Sequence, residues 1–405
     1  MIKKYCHIQT NRNFSIAMVW INGGSNMDEK DKKGINQILC SLLSRGCEGF
    51  NNFEFSEYIY SHGAEFNQET FEDGILISLK SLTEHFHKLF PLIDSIINKP
   101  ILSEYQFKYV KNSLLNSIKK EKENPFNIVY EKWRKIVYLN HPYAFNSIGY
   151  EEDIAKISYK DILYEYEKFK SRDKYLISND LKIKYKEFGM INHVNNQEKS
   201  NFTCLDLKKK YRCVSTNRKS NQIIIMLGNQ TCSQFSNEFL TLKVLESYLS
   251  YGMSSKLFRL FREKNGLTYD TGVFNPFRKE NSPFLIYLSV SNKNALLAFQ
   301  LLSKLWQKLL SSQIEQEEIA LAKDKLKGSV LISNQSLEEI LQRKIQLISN
   351  NLDPNYDKNL LKKIEKVNSK QILNITNKYF SKPYLSTYGD KKICHEIMKS
   401  WIKDF

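Results

Sequence analysis

Arg262 and Tyr269 set a guanidinium and a phenol seven positions apart. Both groups donate hydrogen bonds, and such donors suit peptide carbonyls and the oxyanion that develops when a carbonyl is attacked. Hydrophobic spacing predicts a helix over 255–264, ending near the arginine, and a strand over 268–274, beginning near the tyrosine. An arginine and a tyrosine at this spacing are common on protein surfaces, so the pair takes its meaning from what surrounds it. The histidines offer less. His395-Glu396-Ile397-Met398-Lys399 begins like the zinc motif H-E-x-x-H, but Lys399 stands in place of the second imidazole, leaving a surface C-terminal helix. In Glu84-His85-Phe86-His87 the two histidines are two apart on an expected helix and point to different faces. Cys40 would need a paired histidine to act as a nucleophile and has none near it in sequence.

The positions between these groups bound the answer. With 405 residues, 41% hydrophobic and 13% aromatic, the chain has material for more than one core and is not disordered. Its seven cysteines are odd in number and contain no C-x-x-C, which argues for reduced thiols rather than a disulfide framework or a zinc ribbon. No apolar run approaches the ~20 residues of a membrane helix, and the stretch after Met1 lacks the apolar core of a secretory leader. A cytoplasmic location and no membrane partner are therefore expected. The net charge of +16 is spread along the chain, densest at Lys208-Lys209-Lys210-Tyr211-Arg212. A nucleic-acid site would concentrate such charge in a stripe, so a solvated lysine surface and no nucleic-acid partner are expected.

The elements repeat. In the first half, strands are predicted over 14–21, 64–68 and 75–81, and helices over 34–45, 53–62, 84–97, 104–122 and 126–139. In the second half, strands fall over 222–227, 268–274 and 284–291, and helices over 237–249, 255–264, 295–310, 315–332 and 337–348. The polar stretch Asn192 to Asn201 divides the halves and reads as a linker. The order strand, two helices, two strands, several long helices occurs twice, which favours an α+β fold over an alternating α/β one. Two homologous domains are expected, over 1–195 and 196–405, each a mostly antiparallel sheet packed with several long helices.

Several stretches resemble the insulinase-like zinc peptidases, the family of pitrilysin and the mitochondrial processing peptidase. They are Gly24-Ser25-Asn26-Met27-Asp28-Glu29, then Gly34 to Gly46, His62-Gly63-Ala64-Glu65-Phe66-Asn67 with Thr70, His141-Pro142-Tyr143 and Ile148-Gly149. In the second half, Gly252-Met253-Ser254-Ser255-Lys256-Leu257-Phe258 followed by Arg262-Glu263-Lys264-Asn265-Gly266-Leu267-Thr268-Tyr269 is close to the family's C-terminal signature. The family's H-x-x-E-H sets two imidazoles one helical turn apart on a single zinc ion, with the glutamate as general base. Here Gln37 and Ser41 fill the histidine positions and Cys40 the glutamate position. The distal glutamate ligand falls at Ser117, with Asn124-Pro125 keeping the register. Gln and Ser are poor zinc ligands, so no catalytic residue and no metal is expected in this chain.

The resemblance also implies a role for what is kept. In the family, the arginine and tyrosine matching Arg262 and Tyr269 bind the substrate backbone and help stabilise the tetrahedral intermediate across a closed chamber. The long glycine-rich loop of the mitochondrial non-catalytic subunit is absent; Leu249-Ser250-Tyr251-Gly252 is the short, bacterial-like form. The implied protein is inactive by itself. It is a non-catalytic subunit that contributes Arg262 and Tyr269 to a zinc-bearing sister chain acting on peptides, within a heteromeric metalloendopeptidase. The alternative is a structural core-type subunit of a larger complex, since core subunits of a respiratory complex also resemble this family.

Overall fold

The structure, a computed structural model, describes residues 2–8, 12–180 and 212–405. The expected linker, Cys204 and most of the Lys208–Arg212 cluster lie outside the described residues. Contacts divide the chain into two compact units. The sheet of the first contains β1 (Ile2–His7), β2 (Phe14–Asn22), β3 (Glu65–Thr70), β4 (Gly74–Leu82) and β5 (Lys174–Ser178), in the order β1-β5-β2-β4-β3. The sheet of the second contains β6 (Cys213–Asn217), β7 (Gln222–Gln230), β8 (Thr268–Phe274), β9 (Pro283–Ser291) and β10 (Tyr384–Gly389), in the order β6-β10-β7-β9-β8. The orders correspond strand for strand. In each sheet the pairs are antiparallel except that the first strand runs parallel to the last. The fold is α+β and duplicated, as the repeat of elements predicted, but each sheet has five strands where three were expected.

β2 shows why its strand signal is nearly continuous rather than alternating: both of its faces are buried. Ala17, Val19 and Ile21 join a core with the helices Ile35–Leu43, Asn52–Ser61 and Pro91–Asn98. Ile16, Met18 and Trp20 face the other way and pack with Leu76, Tyr175 and Ile177 against Leu337, Leu341, Ile345 and Ile348. Those last four belong to the helix Leu337–Ser349, from the far end of the chain. The second sheet is covered in reciprocal fashion. Ile223, Ile225 and Leu227 of β7 face its own helices, while the helix Pro125–Tyr138 packs on β7, β10 and β6 from the other side. Trp133 of that helix is fully buried and its indole donates to Tyr384 O at 3.3 Å. Ser386 Oγ donates to Val129 O at 2.9 Å, and Tyr138 Oη to Asn281 O at 2.9 Å.

Neither unit is therefore one continuous half of the sequence. The first comprises Met1–Lys120, Phe145–Asn201 and Asn334–Asp357; the second comprises Glu121–Ala144, Phe202–Ser333 and Lys358–Phe405. Two apolar helices predicted within one half are spent on the sheet of the other, because each sheet has a second apolar face to bury. The helix expected over 84–97 is two, Thr83–Leu89 and Pro91–Asn98, because Pro91 lacks an N–H and begins a new helix.

The exchange has a measurable consequence. Leu341→Ala should cost about 2–5 kcal/mol and Trp133→Ala about 3–5 kcal/mol in urea unfolding. Hydrogen exchange should locate the loss in the opposite half of the sequence: Leu341→Ala should weaken protection of β2 and β5, and Trp133→Ala that of β7 and β10. Equal loss across both sheets in either variant would contradict this packing.

Candidate functional site

Gln37, Cys40 and Ser41 lie on the helix Ile35–Leu43. Gln37 and Ser41, one turn apart, share a face, and the Ser41 hydroxyl is turned back to donate to Gln37 O at 2.9 Å. Cys40 is 1% exposed. Burial pushes its thiol up to about 12, against a smaller opposing effect from a hydrogen bond with Thr70. The thiolate that a metal or an electrophile requires is therefore absent near neutrality. Ser117 sits exposed on the helix Glu104–Glu121 and donates to Ser113 O at 3.2 Å. Among the described residues no hydrogen bond joins Ser117 to the other three positions. No group of three or more His, Cys, Asp or Glu among the described residues could hold a metal ion. A family zinc ion does not fit these residues: two neutral side chains, one buried thiol and one exposed hydroxyl are not a ligand set.

The start of that helix is nonetheless held by a buried polar network. Gly34, the N-cap of the helix, has φ 98°, and a Cβ there would lie 2.5 Å from Ile154 Cδ1 and 2.8 Å from Ile148 O. The Asp28 carboxylate accepts from Gly34 N at 2.7 Å, Asn36 N at 3.2 Å and Asn36 Nδ2 at 2.7 Å, satisfying the free end of the helix. Burial nevertheless pushes this carboxyl up to about 6. Asn36 Oδ1 in turn accepts from Arg172 Nη1 at 2.8 Å, and Arg172 is paired with buried Glu165. Sequence reading passed over Asn36, Arg172 and Glu165. Their signal, three polar residues at core positions, shows only once the helix is seen buried.

Arg262 and Tyr269 each sit on a local irregularity that inserts one residue. Phe258–Glu263 is a π-helical turn, closed by Lys264 N donating to Arg259 O at 3.0 Å. Arg262 is exposed on it, its guanidinium carbon 5.3 Å from the centre of the Phe258 ring. In β8 the register slips between Thr268 and Asp270, which pair with Val290 and Ser289. Tyr269 is the extra residue and has no partner on β9. This bulge turns both Tyr269 and Asp270 outward and leaves Tyr269 72% exposed. Leu267 N donates to Phe261 O at 2.7 Å and Gly266 N to Arg262 O at 3.1 Å, so a short, bonded link joins the two residues. β8 is the last strand of its sheet, so its outer edge is open among the described residues.

The other candidates are placed apart. His395 is exposed on the helix Lys391–Asp404, which is not wholly a surface helix because Cys394, Ile397 and Trp401 are buried. His85 and His87 diverge as expected: His87 faces Asp180 at 3.6 Å, while His85 meets the His62 ring at 5.4 Å between centroids. The His141 landmark is structural. Its Nδ1 accepts from Tyr143 N at 3.0 Å, which leaves Nε2, 2.8 Å from Glu280, as the donor. The six described cysteines are free thiols. No described helix is long and apolar enough to cross a membrane.

Residues 6–149 match the family described as Insulinase (Peptidase family M16), and residues 181–326 match the Peptidase M16 inactive domain. An uncharacterized zinc protease of Rickettsia felis is 24% identical over 88% of both proteins. The non-peptidase homolog YmxG of Helicobacter pylori is 22% identical over 86% of this chain and 82% of its own length. A solved peptidase M16 inactive domain from Pseudomonas fluorescens superimposes with a TM-score of 0.84 at 18% identity, covering 96% of each chain, which shows a shared fold. With two models of one family matched in order along most of its length, and with a non-peptidase homolog among its relatives, this chain belongs to the insulinase-like M16 peptidase family as a non-catalytic member.

Proposed function

We propose that this chain is the non-catalytic partner of a zinc-bearing insulinase-like subunit, and that Arg262 and Tyr269 reach a peptide held at the partner's metal. The observation that carries this is selective loss. The helix that resembles the family's metal motif is held at its start by buried hydrogen bonds but carries no zinc ligand set, while the Arg262–Tyr269 segment has two exposed donors on a π turn and a β-bulge. Such irregularities cost local pairing and persist where a side chain has to be aimed. A guanidinium and a phenol in a closed, dry chamber would donate to peptide carbonyls and to the developing oxyanion. The peptide would add as a strand to an open sheet edge, a mode that recognises backbone rather than sequence.

The test is co-expression with a zinc-bearing homologue from the same genome. In an intact complex, Arg262→Ala with Tyr269→Phe should lower peptidase kcat on the order of 100-fold. Unchanged activity in a complex that still co-elutes would sink the complementing role. The chain alone should bind no stoichiometric zinc, and chelator-sensitive cleavage by it would refute the reading outright. Because Cys40 is almost wholly buried and burial pushes its thiol up, it should resist iodoacetamide at pH 8 until the protein is unfolded. Labelling of Cys40 in the native chain would show an accessible thiolate where none is expected.

A further inference from the structure

A second, unassigned feature lies beside the π turn. A cleft of about 240 Å³ opens between the helix Phe239–Ser250, the segment 254–264 and the helix Gln316–Ser333. Four cations line it, Lys256, Arg259, Lys264 and Lys325, with Glu318 as the single lining carboxylate. That carboxylate is already engaged, by Lys256 Nζ at 3.1 Å and Tyr248 Oη at 3.3 Å. Among the described residues Arg259, Lys264 and Lys325 have no carboxylate partner.

The backbone explains how these charges converge. In an α-helix, residues five apart face about 140° away from each other. The wider π turn, closed between Arg259 and Lys264, brings residues five apart nearly into line, and both line the cleft. From the other wall, Ser247 Oγ donates to Ala322 O at 2.7 Å, seating the helix that carries Lys325. Lys325 is half-buried; desolvation first, and Arg259 second, hold its ammonium below the ordinary lysine value. Arg259 and Lys264 are exposed and Lys325 is half-buried; like charges gathered in one cleft repel one another, and an anion among them relieves that repulsion.

We infer that this cleft is a binding site for a compact oxyanion, a phosphoryl group or a carboxylate, held by Arg259, Lys264 and Lys325. Its volume falls below the ~300–1,000 Å³ of sites that enclose a drug-sized ligand, which suits one anionic group rather than a whole organic molecule. Arg259 supplies a planar fork and the lysines supply point charges, the usual division of labour around phosphoryl and carboxylate oxygens. The site belongs to this chain alone, so its test needs no zinc-bearing partner and stands apart from the peptidase reading.

The probe is inorganic triphosphate, followed by isothermal calorimetry with the full chain at fixed ionic strength. Saturable binding should weaken about tenfold or more in Arg259→Ala with Lys325→Ala. It should be unchanged in Lys119→Ala with Lys120→Ala, which removes the same charge from an exposed helix end. Thermal melting confirms that both variants fold. An aspartate-rich hexapeptide that displaces triphosphate identifies side-chain carboxylates as a ligand source; one that does not displace it confines the site to phosphoryl groups. Equal weakening in the two double variants, or no saturable binding, would overturn the inference, because either result assigns the attraction to the net charge of +16 alone.

Discussion

Each five-stranded sheet of this protein is apolar on both faces, and the rest of the architecture follows from the need to cover them. β2 has buried residues at every interior position, with Ala17, Val19 and Ile21 on one side and Ile16, Met18 and Trp20 on the other. The helices that follow β2 in sequence cover only the first side. The second is closed by Leu337, Leu341, Ile345 and Ile348, more than 300 residues downstream of β2. The second sheet borrows the Pro125–Tyr138 helix in the same way. Uncovered, these faces would expose Trp20, Tyr175 or Met226 to water, at a cost of about 1.5–3 kcal/mol for each large side chain. The exchange is therefore a requirement of burial, and it makes each unit the product of both halves of the chain.

Against that frame, the metal-site helix is an instructive separation of scaffold from chemistry. Gly34, Asp28, Asn36, Arg172 and Glu165 hold the start of the helix with buried hydrogen bonds and an ion pair. Removing the side chain of Asp28, Asn36, Arg172 or Glu165 would leave buried polar partners unsatisfied, which is costly. Gln37, Cys40 and Ser41 carry no such obligation: a hydroxyl turned onto the backbone and a thiol in the core are both stable without a metal. The helix can thus lose its ligands while its frame persists. The Arg262–Tyr269 segment is the converse. Its π turn and β-bulge depart from regular pairing, and they direct Arg262 and Tyr269 outward, where both are exposed. The same π turn also sets Arg259 and Lys264 side by side in the basic cleft, so one backbone irregularity serves two features.

Sequence alone determined the duplicated α+β plan, since hydrophobic periodicity reports which elements must bury a face. It also showed that Gln37, Cys40 and Ser41 make no zinc site, because a side chain's identity settles what it can coordinate. The long strands β2, β4, β7 and β9 and most long helices were legible. β1, β5, β6 and β10 were not: each is only five or six residues long, a length at which a strand and a piece of helix look alike. The seven-residue spacing of Arg262 and Tyr269 was visible, but not the π turn and bulge, which depend on hydrogen bonds rather than composition. What only the tertiary structure decided was partnership: which helix covers which sheet, that Asn36 and Arg172 are buried together, and that four cations share one cleft. Periodicity tells a segment to hide one side and says nothing about where, because the hydrophobic effect is non-directional. The choice among possible cores was made by shape and chain connectivity.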